Sequence, residues 1–218
     1  MTLNFKEIEN EFTSVFDDCL RFACMARAKP FQVESCEKLI ELTKRISTYK
    51  NKAIKNKDEE GANRLLYYQM LAEMLLSEMK MWISFKDNDP EVAWDHLVNS
   101  QSSLRAALLA HDVGSRLEPY VEKLDLLEEL LFPKMMFFSV GFQPIKKTCS
   151  ICSSNYDSCE HIKGKPYLGE LCHTIIEECE IEEVSVVDVP ANKHCRAISI
   201  EEDGCKRNIM TWEVIESE

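Results

Sequence analysis

Cys149, Cys152, Cys159 and His161 fall within thirteen residues, in the run C-S-I-C-S-S-N-Y-D-S-C-E-H. Three thiols and one imidazole are donors that a tetrahedral zinc shell takes. Cys149 and Cys152 have the spacing of a tight metal knuckle. Cys159 and His161 are two apart, so on an extended segment both side chains point the same way. All four positions of a structural site would then be filled, which argues against a Lewis-acid catalyst with an open position for water. Structural Zn2+ is the expected cofactor, and reduced thiols without metal are the alternative.

The chain holds seven further cysteines. Cys19, Cys24 and Cys36 fall in helical sequence and are expected as buried small hydrophobes. Cys172, Cys179, Cys195 and Cys205, with His173 and His194, offer donors for a second metal, but their spacings are irregular. Packing of Cys172, Cys179 and Cys195 in a β core is the simpler expectation. Cys172 is the first substitute should one of the four leading ligands be replaced.

Helical sequence precedes these groups. Phe5 to Ala28 is an amphipathic run expected to end at Lys29-Pro30. Val33 to about Lys57 follows, with Leu39, Leu42 and Ile46 at helical spacing. Asp58-Glu59-Glu60 suits a helix N-terminus, and Gly61 with the polar stretch before it favours a break there. A third helix runs to about Phe85, with Leu71, Leu75, Met79 and Trp82 on one face. Asp89-Pro90 is a start signal, since Asp89 can cap and proline fits the first helical position. Ala93, Leu97, Leu104 and Leu108 line the fourth helix. Gly114 marks its end, and Ser115 with Glu118 forms a capping box for a fifth helix that stops at Pro133. Short connections predict an antiparallel bundle over residues 1–133.

The pattern changes near Met135. Met136 to Ile145 reads as a strand, and Glu183 to Val189, Arg196 to Glu201 and Asn208 to Ile215 read as three more. Gly164 and Gly169 flank a turn before Cys172. The expected fold class is α+β: the helical bundle, then a small zinc-stapled antiparallel β module over residues 134–218.

Composition narrows the function. At 45% hydrophobic and 29% charged, the 218 residues can bury a core. No apolar run has the length of a membrane span, and the N-terminus lacks the apolar stretch of a signal peptide, so a cytoplasmic protein is expected. The net charge is −12, and residues 149–218 carry 15 acidic against 6 basic side chains. An acidic metal module repels phosphates, which argues against a nucleic-acid finger.

Two segments carry a resemblance. Ser139-Val140-Gly141-Phe142-Gln143-Pro144 resembles the S-[IVF]-G-F-x-P segment of phage prohead maturation proteases. Glu183 to Asn192, read E-V-S-V-V-D-V-P-A-N and continuing to Arg196-Ala197-Ile198, resembles the E-V-S-L-V-x-x-P-A-N segment that follows it in that family. Some phage relatives carry a cysteine-rich insert between the two, and Gly164, Tyr167 and Gly169 stand where that insert has G-x-x-Y-x-G. The resemblance covers about residues 135–200. It implies the β-rich fold of herpesvirus assembly proteases, with Ser139 as nucleophile and a histidine base from the upstream half. His111, followed by Asp112, is the candidate base. However, that half is helical here, and a helix C-terminus favours a histidine for electrostatic reasons alone.

Two functions follow as expectations. The first is a non-catalytic zinc protein that binds another protein, either a phage head-assembly component or a member of a phage or prophage-associated defence system. The second is a serine peptidase using Ser139 and His111, in which the serine needs a base within hydrogen-bond reach. Ser185, His96, Glu177-Glu178 and Glu182-Glu183 are expected to be structural or solvated.

Overall fold

The computed structural model describes residues 4–112, 117–202 and 204–215. It is α+β, with five helices followed by small antiparallel sheets. The helices are α1 (Phe5–Leu20), α2 (Lys29–Lys55), α3 (Glu59–Lys86), α4 (Pro90–Ala110) and α5 (Glu118–Leu131). The sheets use β1 (Phe137–Cys149), β2 (Pro166–Tyr167), β3 (Glu170–Leu171), β4 (Thr174–Val187), β5 (Ser199–Glu202) and β6 (Cys205–Asn208).

Helix α3 is the centre of the bundle. It buries residues on every side, among them Leu65, Leu71, Leu75, Met79 and Trp82, because α2 and α4 flank it along their lengths. Helix α2 presents Leu39, Leu42 and Ile46 to it, and α4 presents Ala93, Leu97 and Leu104. Leu108 is only half-buried; the core side of the last turn belongs to Ala107 and Ala110. Small residues there let the helix end lie close to its neighbours.

The connections follow their capping chemistry. Asp58 accepts from the Gly61 N–H at 3.0 Å, and Lys57 at φ 55° reverses the chain between α2 and α3. Asp89 accepts from the Val92 N–H at 3.1 Å and Pro90 opens α4. One boundary differs from the expectation. Helix α1 ends at Leu20, and Lys29-Pro30 begins α2 instead of ending α1. Proline lacks an N–H that the first helical turn does not need, so it starts a helix as readily as it stops one. The intervening loop is held by the buried Gln32 amide, which donates to the Phe22 and Cys24 carbonyls at 3.0 and 2.9 Å. Gly114 and Ser115, read as an end signal and half of a capping box, lie outside the described residues.

The β part is a ribbon with small additions. Strands β1 and β4 pair antiparallel from Phe137↔Val187 to Cys149↔Thr174, with irregularities after Gly141 and on either side of Lys146. Strand β4 begins nine residues earlier than the Glu183 expected, since the acidic stretch Glu177 to Glu180 obscures its alternation. Of the strand expected over Asn208 to Ile215, only Asn208 is in a strand; Ile209 to Ile215 turns back and is closed by a bridge from Val214 to Arg207. Asn208 ends β6, which pairs with β5.

Both ends of the ribbon meet the bundle. At one end Phe137 stacks on Trp94 with ring centroids 6.0 Å apart. There the Trp94 indole donates to the Lys193 carbonyl at 3.1 Å, and Arg196 pairs with Glu91. At the other end a Cβ on Gly169 would lie 3.2 Å from the Lys50 side chain and 3.3 Å from Ala62 Cβ, and the Gly169 N–H donates to Asn63 Oδ1 at 2.7 Å. Leu168 and Gly169 both take positive φ, 47° and 83°, the conformation of a tight two-residue hairpin turn.

Candidate metal centre

The ligand atoms of Cys149, Cys152, Cys159 and His161 all lie within 4.8 Å of one another. They form a group that could hold a metal ion, and no other such group occurs among the described residues. Cys152 Sγ is 3.4 Å from Cys159 Sγ, which in turn is 3.2 Å from His161 Nδ1. Such separations are close to the edges of a tetrahedron with metal–sulfur bonds of about 2.3 Å.

Local backbone structure places each donor. Cys149 ends β1, and the chain turns at once: the Ser153 N–H donates to the Cys149 carbonyl at 2.8 Å, and the Cys149 N–H to the Ser154 carbonyl at 2.9 Å. Ser153 takes the positive φ, 58°, that the turn requires. The Ile151 N–H points at Cys149 Sγ at 3.4 Å, as in a metal knuckle. A short 3-10 turn, Tyr156–Ser158, capped by the Asn155 side chain, then brings Cys159 back. The His161 N–H donates to Cys159 Sγ at 3.2 Å, and the His161 ring stands edge-on to Tyr167 at 4.6 Å between centroids. Tyr167 also accepts the Ile162 N–H through its hydroxyl at 2.9 Å, so the ring that braces His161 is itself fixed.

The thiols differ electrostatically. Burial pushes the Cys149 thiol up, but the N–H groups of Cys152 and Ile151 and the thiols of Cys159 and Cys172 outweigh it and bring it down to about 7. The N–H and hydroxyl of Ser154 lower Cys152. Burial pushes Cys159 up to about 11, against the His161 N–H.

The remaining candidates sit elsewhere. Cys19 and Cys36 are buried in the bundle as expected, while Cys24 is half-buried. Cys172 is buried, but Cys179, Cys195 and Cys205 are exposed, so the expected packing of Cys179 and Cys195 in a β core is not found. Cys179 lies on the two-stranded ribbon and Cys195 in the segment after it, and no second layer covers either. His173 and His194 make separate contacts, His194 with Asp95 at 3.0 Å.

Ser139 lies within β1, opposite Ser185 on β4. His111 follows the last residue of α4, with its ring 6.2 Å from that of Tyr67. It lines a cleft of about 810 Å³ together with Asn63, Leu109, Gly164 and Lys165, beside the metal end of the ribbon. Ser139 is ten residues up β1 from Cys149, or roughly 30 Å at about 3.3 Å per residue. Glu177 is paired with Lys146 and accepts from the Thr148 hydroxyl at 3.0 Å, so it serves the ribbon.

The outer face of the ribbon was not legible beforehand as a site. Phe138 faces Val186, Val140 faces Val184 and Phe142 faces Ile181 across the strands. All six are exposed, from 37% for Phe138 to 70% for Ile181. The valine-rich run had signalled a strand; only the absence of a covering layer makes it a surface.

No described helix is long and apolar enough to cross a membrane. No model of a known family, no curated protein and no solved structure matches this chain.

Proposed function

We propose that this is a non-catalytic, zinc-binding protein that docks a protein partner on the outer face of its β ribbon. The observation that carries the reading is the ladder of three apolar cross-strand pairs left uncovered on β1 and β4. Contiguous apolar faces of this kind mark interaction sites on proteins that otherwise hide such surface. Both ribbon edges also present unpaired backbone groups over much of their length, which a β-rich partner can extend. Zinc suits the thiolate and imidazole donors, and its role is to brace one end of the ribbon.

The partner class comes from the resemblance. Of the segments similar to phage prohead maturation proteases, Ser139–Gly141 on β1 pairs with Glu183–Ser185 on β4. In a β-rich protease fold such a pair would be covered by further strands. We infer that here a phage head-assembly component, or a defence-system protein that recognises one, supplies the cover. The acidic charge of residues 149–218 favours a basic rim on that partner and disfavours nucleic acid.

The test is binding of the purified chain to head-assembly proteins encoded in the same genome, followed by calorimetry. Val184→Asp, which puts a charge in the middle of the ladder, is expected to weaken binding at least tenfold, while Ser139→Ala leaves it unchanged. Undiminished binding by Val184→Asp would remove the ladder from the interface. A fluorophosphonate probe that labels wild type but not Ser139→Ala would make the protein a serine peptidase instead.

A further inference from the structure

Cys172 stands at the edge of the metal centre. Its Sγ is 3.8 Å from Cys149 Sγ, and both residues are buried, at 2% and 0% exposure. That separation is the sulfur–sulfur edge of a tetrahedral shell, about 3.8 Å for metal–sulfur bonds of about 2.3 Å. The two sulfurs are not bonded to each other.

Its position is built by the backbone. The Cys172 N–H donates to the Lys165 carbonyl at 2.9 Å, and its carbonyl accepts from the Gly164 N–H at 2.8 Å. These bonds close the β2–β3 hairpin whose turn is fixed by Leu168 and Gly169. The next residue is tied to the knuckle from both sides. The Ser150 N–H donates to the His173 carbonyl at 3.0 Å, and the His173 N–H to Ser150 Oγ at 2.9 Å. The hairpin and the knuckle are thus clamped together with Cys149 and Cys172 between them.

We propose that Cys172 is a fifth donor to the same ion, alternating with His161 for the fourth place. This rests on the metal-binding reading above. Cys149, Cys152 and Cys159 then form a constant trio, completed by an imidazole from the loop or a thiolate from the hairpin. The consequence is mechanical. With His161 bound, the metal joins the knuckle to the loop that follows it; with Cys172 bound, it joins β1 to the hairpin that rests on α2 and α3. The metal therefore links the ribbon to the bundle only in its four-sulfur form.

Cobalt substitution in the full-length protein tests this, because sulfur-to-cobalt charge-transfer intensity rises with the number of thiolates. Single His161→Ala and Cys172→Ser variants are each expected to keep one equivalent of tetrahedral cobalt, with affinity reduced about 10- to 100-fold, the range seen when support for a metal shell is lost. His161→Ala should show higher charge-transfer intensity than Cys172→Ser. The double variant should lose more affinity than the two single losses multiplied. Helical circular dichroism confirms that each variant retains the bundle. If Cys172→Ser leaves both spectrum and affinity unchanged while His161→Ala releases the metal, Cys172 is a packed thiol and the proposal fails, with the metal site intact. If wild type binds no cobalt or zinc, the metal-binding reading fails with it.

Discussion

The two halves of the molecule are held by different forces. From α1 to Phe137 the chain buries more than thirty apolar side chains in one cluster, including Trp94, Leu75 and Met79. Beyond Phe137 the only buried apolar side chains among the described residues are Cys149 and Cys172. The bundle is stabilised by area removed from water, at about 25 cal/mol per Å². A two-stranded ribbon with an exposed apolar face has no such reserve and is marginal in isolation. Its register must come from its ends: the Trp94, Glu91 and Arg196 contacts at one, and the cysteine–histidine cluster with its hairpin at the other. The same lack of a core that would make the β part depend on a metal in the proposed reading leaves its outer face uncovered.

Removing the metal should break this contrast most visibly. Chelation, or Cys149→Ser, is expected to raise amide exchange across residues 149–187 by a factor on the order of 10³ or more, because a structural metal contributes folding free energy directly. Helical circular dichroism should change little. Hydrogen exchange read by mass spectrometry separates the regions. A wild-type chain that bound no metal, or whose ribbon stayed protected after chelation, would show that the four donors are not a structural metal site.

A core deletion should do the reverse. Leu75 is fully buried at the centre of α3. Leu75→Ala is expected to destabilise the bundle by about 3 kcal/mol, from lost transfer energy and a cavity the surrounding helices cannot close. Denaturant melts followed at the helical signal measure it, and metal stoichiometry should stay at the wild-type value under native conditions. Loss of metal at the same denaturant concentration as loss of helix would show the two regions to be one cooperative unit.

The regions also differed in how far the sequence exposed them. Helical periodicity over Leu39, Leu42 and Ile46, and the signals at Asp58 and Asp89, are local properties, so the bundle was readable. The cluster of Cys149, Cys152, Cys159 and His161 was readable because C-x-x-C and Cys-x-His are short-range patterns. What depended on long-range contact was hidden. Pro30 ends or begins a helix according to which side packs, and here α2 packs along α3. The first half of β4 lies under acidic residues that mask its alternation. Cys172 reaches Cys149 only through the β2–β3 turn, eleven residues beyond His161. The apolar ladder exists because nothing folds over it, and an absent layer leaves no mark in a sequence.

Charge gives the finest comparison between the halves. On the ribbon, hydrogen bonds from Lys146 and Thr148 lower the Glu177 carboxyl below its ordinary value. Inside the bundle Glu78 is fully buried on α3. Its Oε1 accepts from Lys123 Nζ at 2.5 Å and from the Trp82 indole N–H at 3.5 Å, while Oε2 and the nearby buried Tyr120 hydroxyl have no hydrogen-bond partner. Burial raises the Glu78 pKa, with Lys123 only partly offsetting it. The signs are opposite. The Glu177 contribution is present above the ordinary carboxylate pKa and is lost as pH falls through its lowered folded value. The Glu78 contribution is present below about 4.5 and is lost as pH rises through its raised folded value. Glu78→Gln should therefore stabilise the bundle by about 1 kcal/mol at pH 7, where burying the carboxylate costs more than Lys123 returns. It should change little near pH 4.5, where wild type also carries the neutral form. Urea midpoints at the two pH values decide the matter. An equal loss at both would mean that Glu78 and Lys123 act as a structural pair whose geometry, more than its charge, the bundle needs.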